Sequence, residues 1–211
     1  MTNQRPRSTY RHGDLRRALL DAGIEIARQG GPDAVTLREA TRRAGVVPNA
    51  AYRYFASQQE LLAAVRSTAL SAVAVAMENE LAAVPRKRRR ADAARASLRA
   101  VGTGYLRFAR EQTGLFRTAF AAPQEAWQTP DPNRAGHSGL NPFQLLSAAL
   151  DQMVDAGVLD AARRPGAEYL AWSAVHGLAM LMIEGPLQHL DDERADTLGA
   201  RLIEMVEKGI V

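Results

Sequence analysis

An all-α fold is predicted for this chain of 211 residues, and three observations predict it. Apolar residues recur three and four apart from Leu15 to Val206. Capping residues, glycines and prolines divide that pattern into helix-length pieces. No alternation of apolar and polar residues runs long enough for a strand. The expected architecture is an N-terminal three-helix bundle holding a helix-turn-helix, then a larger C-terminal helical domain, with about nine helices in all. The expected boundary divides residues 1–57 from 58–211.

The elements follow in order. Residues 1–12 are polar and basic, with Arg5, Arg7 and Arg11 among Pro, Ser and Thr. They form either an arm for a minor groove or a loose tail. Leu15, Leu19, Ala22 and Ile26 stripe a helix over 14–29, stopped by Gly30-Gly31-Pro32. Thr36 and Glu39 have capping-box spacing and open a short helix whose inner face is Leu37, Ala40 and Ala44. Gly45 suits the left-handed residue that ends it. Pro48 suits the first turn of the next helix. That second helix is expected to carry Asn49, Tyr52, Arg53 and Tyr54, all able to hydrogen-bond phosphates or base edges, and Phe55 closes the unit as core. Two short helices around a tight turn are the layout that places a reading helix in the major groove.

Ser57 and Glu60 repeat the capping spacing and open a long helix over 58–84, ended by Pro85. The basic run at 86–90 is a solvated loop or a nucleic-acid contact. Helices follow over 91–111, with Leu98, Val101, Tyr105 and Phe108, and over 115–121, with Phe116 and Phe120. Residues 122–141, rich in Pro, Gly, Asn and Asp, form the main loop. Trp127 within it is a gate or a plug. Asn141-Pro142 starts a helix to Ala156, closed by Gly157. Helices over 165–184 and 191–208, separated by Gly185-Pro186, finish the chain.

Charge is unevenly divided. Residues 1–60 hold ten Lys and Arg against six Asp and Glu, while the remainder holds seventeen of each. The whole formal excess of +4 therefore accompanies the helix-turn-helix, as a polyanion partner requires. The absence of cysteine excludes a disulfide framework and thiolate metal sites. The start M-T-N-Q-R-P-R-S has no apolar signal core, and the apolar stretch at 169–183 is too short to span a bilayer, so a cytoplasmic, membrane-free protein is expected. The four histidines lack metal spacing, and no nucleophile elbow, P-loop or dinucleotide glycine motif occurs. Neither a metal, a cofactor nor an enzyme is expected.

Residues 10–62 resemble the DNA-binding domain of the tetracycline-repressor (TetR) family of bacterial regulators. The matching stretches are Y-R-H-G-D-L-R-R-A-L-L-D-A, G-G-P-D-A-V-T-L-R-E-A, A-G-V-V-P-N-A-A-Y-R-Y-F and S-Q-Q-E-L-L. W-S-A-V-H-G-L at 172–178 is similar to the Trp-His-Gly pattern of one C-terminal branch of that family. The resemblance implies three DNA-binding helices, a connecting helix, and a ligand domain that dimerises through its last two helices. It also implies that a small molecule changes the spacing of two reading heads and releases a palindromic operator. Val47 departs from the usual Ser or Thr, and Gln58 from the usual Lys, so two phosphate contacts are weakened.

The candidate DNA-binding residues are Thr36, Pro48, Asn49, Tyr52, Arg53, Tyr54 and Gln58. Arg53 has the fork for guanine, Asn49 is a reader of adenine, and the tyrosines and Thr36 suit phosphates. The candidate ligand-binding residues are Tyr105, Phe108, Phe116, Phe120, Met153, Trp172, His176 and Met180. Trp172, His176 and Met180 form one stripe, which faces either a pocket or a dimer partner. The expected partners are double-stranded DNA, a small-molecule effector and a second copy of the chain. The competing readings are an all-α enzyme or carrier, and an architectural DNA-binding protein without an effector.

Overall fold

Nine α-helices and three short 3-10 turns make up the regular structure of the described residues, which are 12–85, 89–121 and 131–211 of the computed structural model. The helices are α1 His12–Gly30, α2 Leu37–Ala44, α3 Pro48–Ala51, α4 Gln58–Ala83, α5 Arg90–Glu111, α6 Thr113–Ala119, α7 Pro142–Asp155, α8 Ala167–Ile183 and α9 Asp192–Ile210. The basic arm at Arg5, Arg7 and Arg11, most of the run at 86–90, and Trp127 lie outside the described residues.

Capping chemistry sets most helix starts. Thr36 Oγ1 accepts the Glu39 N–H at 3.2 Å, and Ser57 Oγ accepts the Glu60 N–H at 3.2 Å. Neither pair completes the reciprocal bond that its spacing predicts. The Glu39 carboxylate is held by Arg42 and Arg43, and Glu60 reaches the Ala56 N–H at 2.7 Å. The full box forms instead at α7, between Asn141 and Gln144. α6 starts two residues earlier than predicted, because Gln112 caps the end of α5 and the start of α6 at once. The chain therefore kinks there without a linker.

α4 is the axis of the molecule. It touches α1, α5, α6 and α7. By length and composition α4 is also apolar enough to cross a membrane. Its apolar residues Leu61, Val65, Leu70, Val73 and Met77 are instead consumed in the protein core. α5 crosses α4 in backbone contact: a Cβ on Gly104 would lie 2.7 Å from the Ala76 carbonyl oxygen. α9 is pinned to α5 by Glu207, only 3 % exposed, which accepts bonds from Arg95 and Arg99. Burial pushes that carboxyl up, but the Arg99 and Arg95 bonds outweigh it and hold its pKa below the ordinary value.

Candidate functional site

Two sites emerge, one at each end of a short helix. The first is the helix-turn-helix. Leu37 and Ala40 of α2, Ala51 of α3 and Phe55 are buried together with Leu19, Ile26 and Val35. Arg16 lies over the Phe55 ring at 5.2 Å. Gly45 takes the predicted left-handed conformation, φ 68°, which turns the chain from α2 into α3.

α3 is shorter than predicted. Regular helix ends at Ala51, so Tyr52, Arg53 and Tyr54 sit in the turn beyond it and not on the helix. The cause is local: the Tyr54 and Phe55 N–H groups both donate to the Ala51 carbonyl at 2.9 Å, and Phe55 is drawn fully into the core. The three side chains still leave from the same end of the unit. Pro48, Asn49, Tyr52 and Arg53 are exposed, Tyr52 at 58 %, and Tyr54 is half-buried. Val47, 69 % exposed, precedes α3 and offers no side-chain cap, as its aliphatic nature requires. Thr36 faces the same groove as Pro48, and Gln58 is exposed at the first turn of α4.

The nearby cations are not equivalent. Arg42 and Arg43 share Glu39, and these bonds, with Arg42 first, pull the Glu39 carboxyl down to about 2. Arg43 also holds Gln29 at 2.8 Å. Arg53 makes no hydrogen bond or ion pair among the described residues, so its guanidinium is presented whole.

The second site is a cavity among α4, α5, α7, α8 and α9. Its lining combines an aromatic cluster, Tyr105, Phe120, Phe143 and Trp172, with aliphatic residues, among them Met77, Leu98, Ile203 and Val206. The space available to the centres of water-sized spheres is about 40 Å³, and about 580 Å³ when the margin up to the lining atoms and the open mouth is included. Among the described residues no charged side chain lines it. Of the predicted ligand residues, Tyr105, Phe120 and Trp172 line this space. Phe108, Phe116 and Met153 are core residues behind it, and Met180 is half-buried against the core.

His176 also stands behind the wall, in an aromatic cage with Phe120 at 5.0 Å, Trp172 at 5.7 Å and Phe116 at 5.8 Å. Its Nδ1 lies 2.7 Å from the Tyr105 hydroxyl, to which Trp172 Nε1–H donates at 3.2 Å. Burial lowers the His176 pKa and raises that of Tyr105, so both are neutral. The predicted Trp-His stripe therefore faces inward. The outward face of α8 is Leu170, Ser173, Gly177 and Leu181. Val175 and Val206, on the last two helices, line the cavity, and Leu178 is buried within the chain.

α6 joins the two sites. Phe116 packs on Tyr105 at 5.2 Å, and Phe120, just past its end, lines the cavity. At its other end Gly114 presses on α1: a Cβ there would fall 2.3 Å from the Ala27 carbonyl oxygen and 2.4 Å from that of Arg28. Arg28 donates to Gln112 at 3.0 Å, and Arg117 pairs with Glu184 at 2.6 Å. Sequence reasoning missed this junction, and Phe143 and Ile203 in the cavity. Gly102 and Gly104 were the overlooked signal, because glycine inside a helix costs stability unless something must come close. Gly102 admits Ile203 of α9.

Comparison with known proteins agrees with this geometry. Residues 19–65 match the bacterial regulatory proteins of the tetR family, and residues 98–206 match the tetracyclin repressor-like C-terminal domain. The HTH-type transcriptional regulator BetI of Rhizobium meliloti (strain 1021) is 45% identical over 53 residues, which are 25% of this chain and 26% of that relative. The match thus spans about a quarter of that protein's length. A Rhodococcus sp. RHA1 protein of unknown function shares the fold at TM-score 0.72 and 23% identity, covering 96% of this chain and 98% of its own. The regulator FadR from Bacillus subtilis, solved with stearoyl-CoA, shares it at TM-score 0.64 and 14% identity, covering 92% and 98%. With a reading head at one end and a C-terminal match over half its length, the chain belongs to the tetracycline-repressor family, whose members are ligand-responsive DNA-binding transcriptional regulators and not enzymes.

Proposed function

We propose that the protein is a repressor that leaves a palindromic operator when a small, largely apolar molecule enters the cavity. The observation that carries this reading is α6, which touches the cavity through Phe120 and the reading head through Gly114. A cavity of about 40 Å³ holds a few waters at most. A ligand larger than that space pushes the walls apart, and a wall that moves carries its far end with it. Stearoyl-CoA in FadR is one large occupant that this fold has accepted.

In this reading the head is 1–57 and the effector domain 58–211. Arg53 reads guanine through its bidentate fork, and Asn49 reads adenine. Tyr52, Tyr54, Thr36 and Gln58 hold phosphates, with Pro48 fixing the turn that presents them. The cavity residues Tyr105, Phe120 and Trp172 touch the effector, while Phe108, Phe116, Met153, His176 and Met180 support them. W-S-A-V-H-G-L supports membership of the Trp-His-Gly branch, since its Trp and His both face the effector side. A second copy packs on the exposed residues Leu170, Leu181 and Met205 of α8 and α9. Two heads then read two half-sites.

Selection of operators from a random duplex pool tests this reading. The expected sites are symmetric, and their affinity falls linearly in log–log form with salt. An asymmetric site bound by one chain would overturn the dimeric repressor.

A further inference from the structure

The fold admits many ligands, but the local chemistry of this cavity admits few. Among the described residues its walls carry no charge, so a carboxylate or phosphate set against them would lose its water without gaining a partner. Among the described lining residues, Tyr105 carries a hydroxyl, on a side chain 4 % exposed. That hydroxyl accepts from Trp172 Nε1–H and stands 2.7 Å from His176 Nδ1. A phenol O–H is the better donor and an imidazole nitrogen the better acceptor, so we assign this bond as Tyr105 O–H donating to Nδ1. The hydroxyl is left with one acceptor lone pair and no proton for a ligand. The lining also holds the aromatic cluster of Phe120, Phe143 and Trp172 and the aliphatic residues Leu98, Ile203 and Val206.

We propose that the effector is an uncharged phenol bearing a short alkyl group, its hydroxyl donating to Tyr105 and its alkyl group lying against Leu98, Ile203 and Val206. This rests on the reading of the cavity as the effector site. The ring satisfies the aromatic wall, and the hydroxyl supplies the donor that the lone pair lacks.

The test is isothermal titration of the full chain with para-propylphenol, para-propylanisole and para-propylbenzoate. The phenol should bind about tenfold more tightly than its methyl ether, the size of one buried hydrogen bond, and the anionic benzoate should not bind. Tyr105→Phe should bring the phenol down to the anisole's affinity and leave the anisole unchanged. Ala171→Leu, which fills the cavity, should abolish both. Equal affinity for phenol and anisole in the unaltered protein overturns the proposal, as does tight binding of the benzoate or no binding of the phenol. If the neutral compounds bind equally and Ala171→Leu removes them, the cavity reading stands without the phenol. Phenol binding untouched by Ala171→Leu moves the site elsewhere and overturns both.

Discussion

Replacing Gly114 by alanine should act as a permanent, ligand-free version of the proposed release. The added Cβ would lie 2.3 Å from the Ala27 carbonyl oxygen and 2.4 Å from that of Arg28. A carbon–oxygen contact settles near 3.3 Å or more, so α6 must retreat from α1 by about 1 Å. The obstacles are backbone atoms inside α1 and cannot rotate aside. Overpacking of this kind costs about 1–3 kcal/mol. A shift of about 1 Å is also the size of helix movement that switches proteins between states. The expected result is a lower melting temperature together with operator affinity reduced on the order of tenfold, equal to about 1.4 kcal/mol. Fluorescence anisotropy of a labelled operator and thermal unfolding read the two effects. Gly209→Ala is the control, since nothing lies within 4 Å of a Cβ there. Wild-type operator affinity in Gly114→Ala would refute the coupling through α6.

Arg53→Ala should cost about 1–3 kcal/mol of operator affinity and relax selectivity at one base pair, whereas Tyr52→Phe should weaken all sequences alike; quantitative footprinting separates the two. Glu207→Gln should lower stability by about 1–3 kcal/mol in denaturant unfolding. The usual larger loss for a broken buried pair is not expected, because Arg95 and Arg99 are 36 % and 54 % exposed and can rehydrate. Burial holds the His176 pKa below its ordinary 6.5, so the unfolded chain takes up the proton first as pH falls. Stability is then complete above pH 6.5 and declines below it until the folded histidine also titrates, and His176→Gln should flatten that part of a melting-versus-pH curve. Leu170→Glu with Met205→Lys, both on exposed positions, should halve the mass seen by light scattering without lowering helicity; an unchanged mass would move the dimer interface elsewhere.

What was legible in the sequence was whatever a short segment determines. Gly45, Thr36, Ser57 and Asn141 each act within three residues: Gly45 takes the left-handed turn, and the other three side chains each accept the N–H three residues on. Phe55 was legible as core for the same reason. The end of α3 was not, because the pull of Phe55 into the bundle competes with continuing the helix, and that contest depends on α1. The cavity was half legible. Tyr105 and Trp172 are large and aromatic on periodic helices, but Ile203, Val206 and Phe143 reach the same space from elements far apart in sequence. Phe116 and Met153 have the same composition as wall residues and lie one layer deeper. Residue type does not encode that layer.

The proposed coupling has a structural reason to pass through α6 and not through another wall. α5 cannot leave α4, because Gly104 sets their backbones in contact. α9 cannot leave the start of α5, because Glu207 holds Arg95 and Arg99 from a buried position. α7 packs on α4, α5 and α8 at once. α6 has only seven residues and no side-chain cap at Gln112. It is held instead by contacts that face the two sites: Phe116 and Phe120 toward the cavity, Gly114 and Gln112 toward α1, and Arg117 toward Glu184. Short elements with few fixed ends open at the lowest cost. An expanding ligand therefore meets least resistance where the moving part already leans on the reading head.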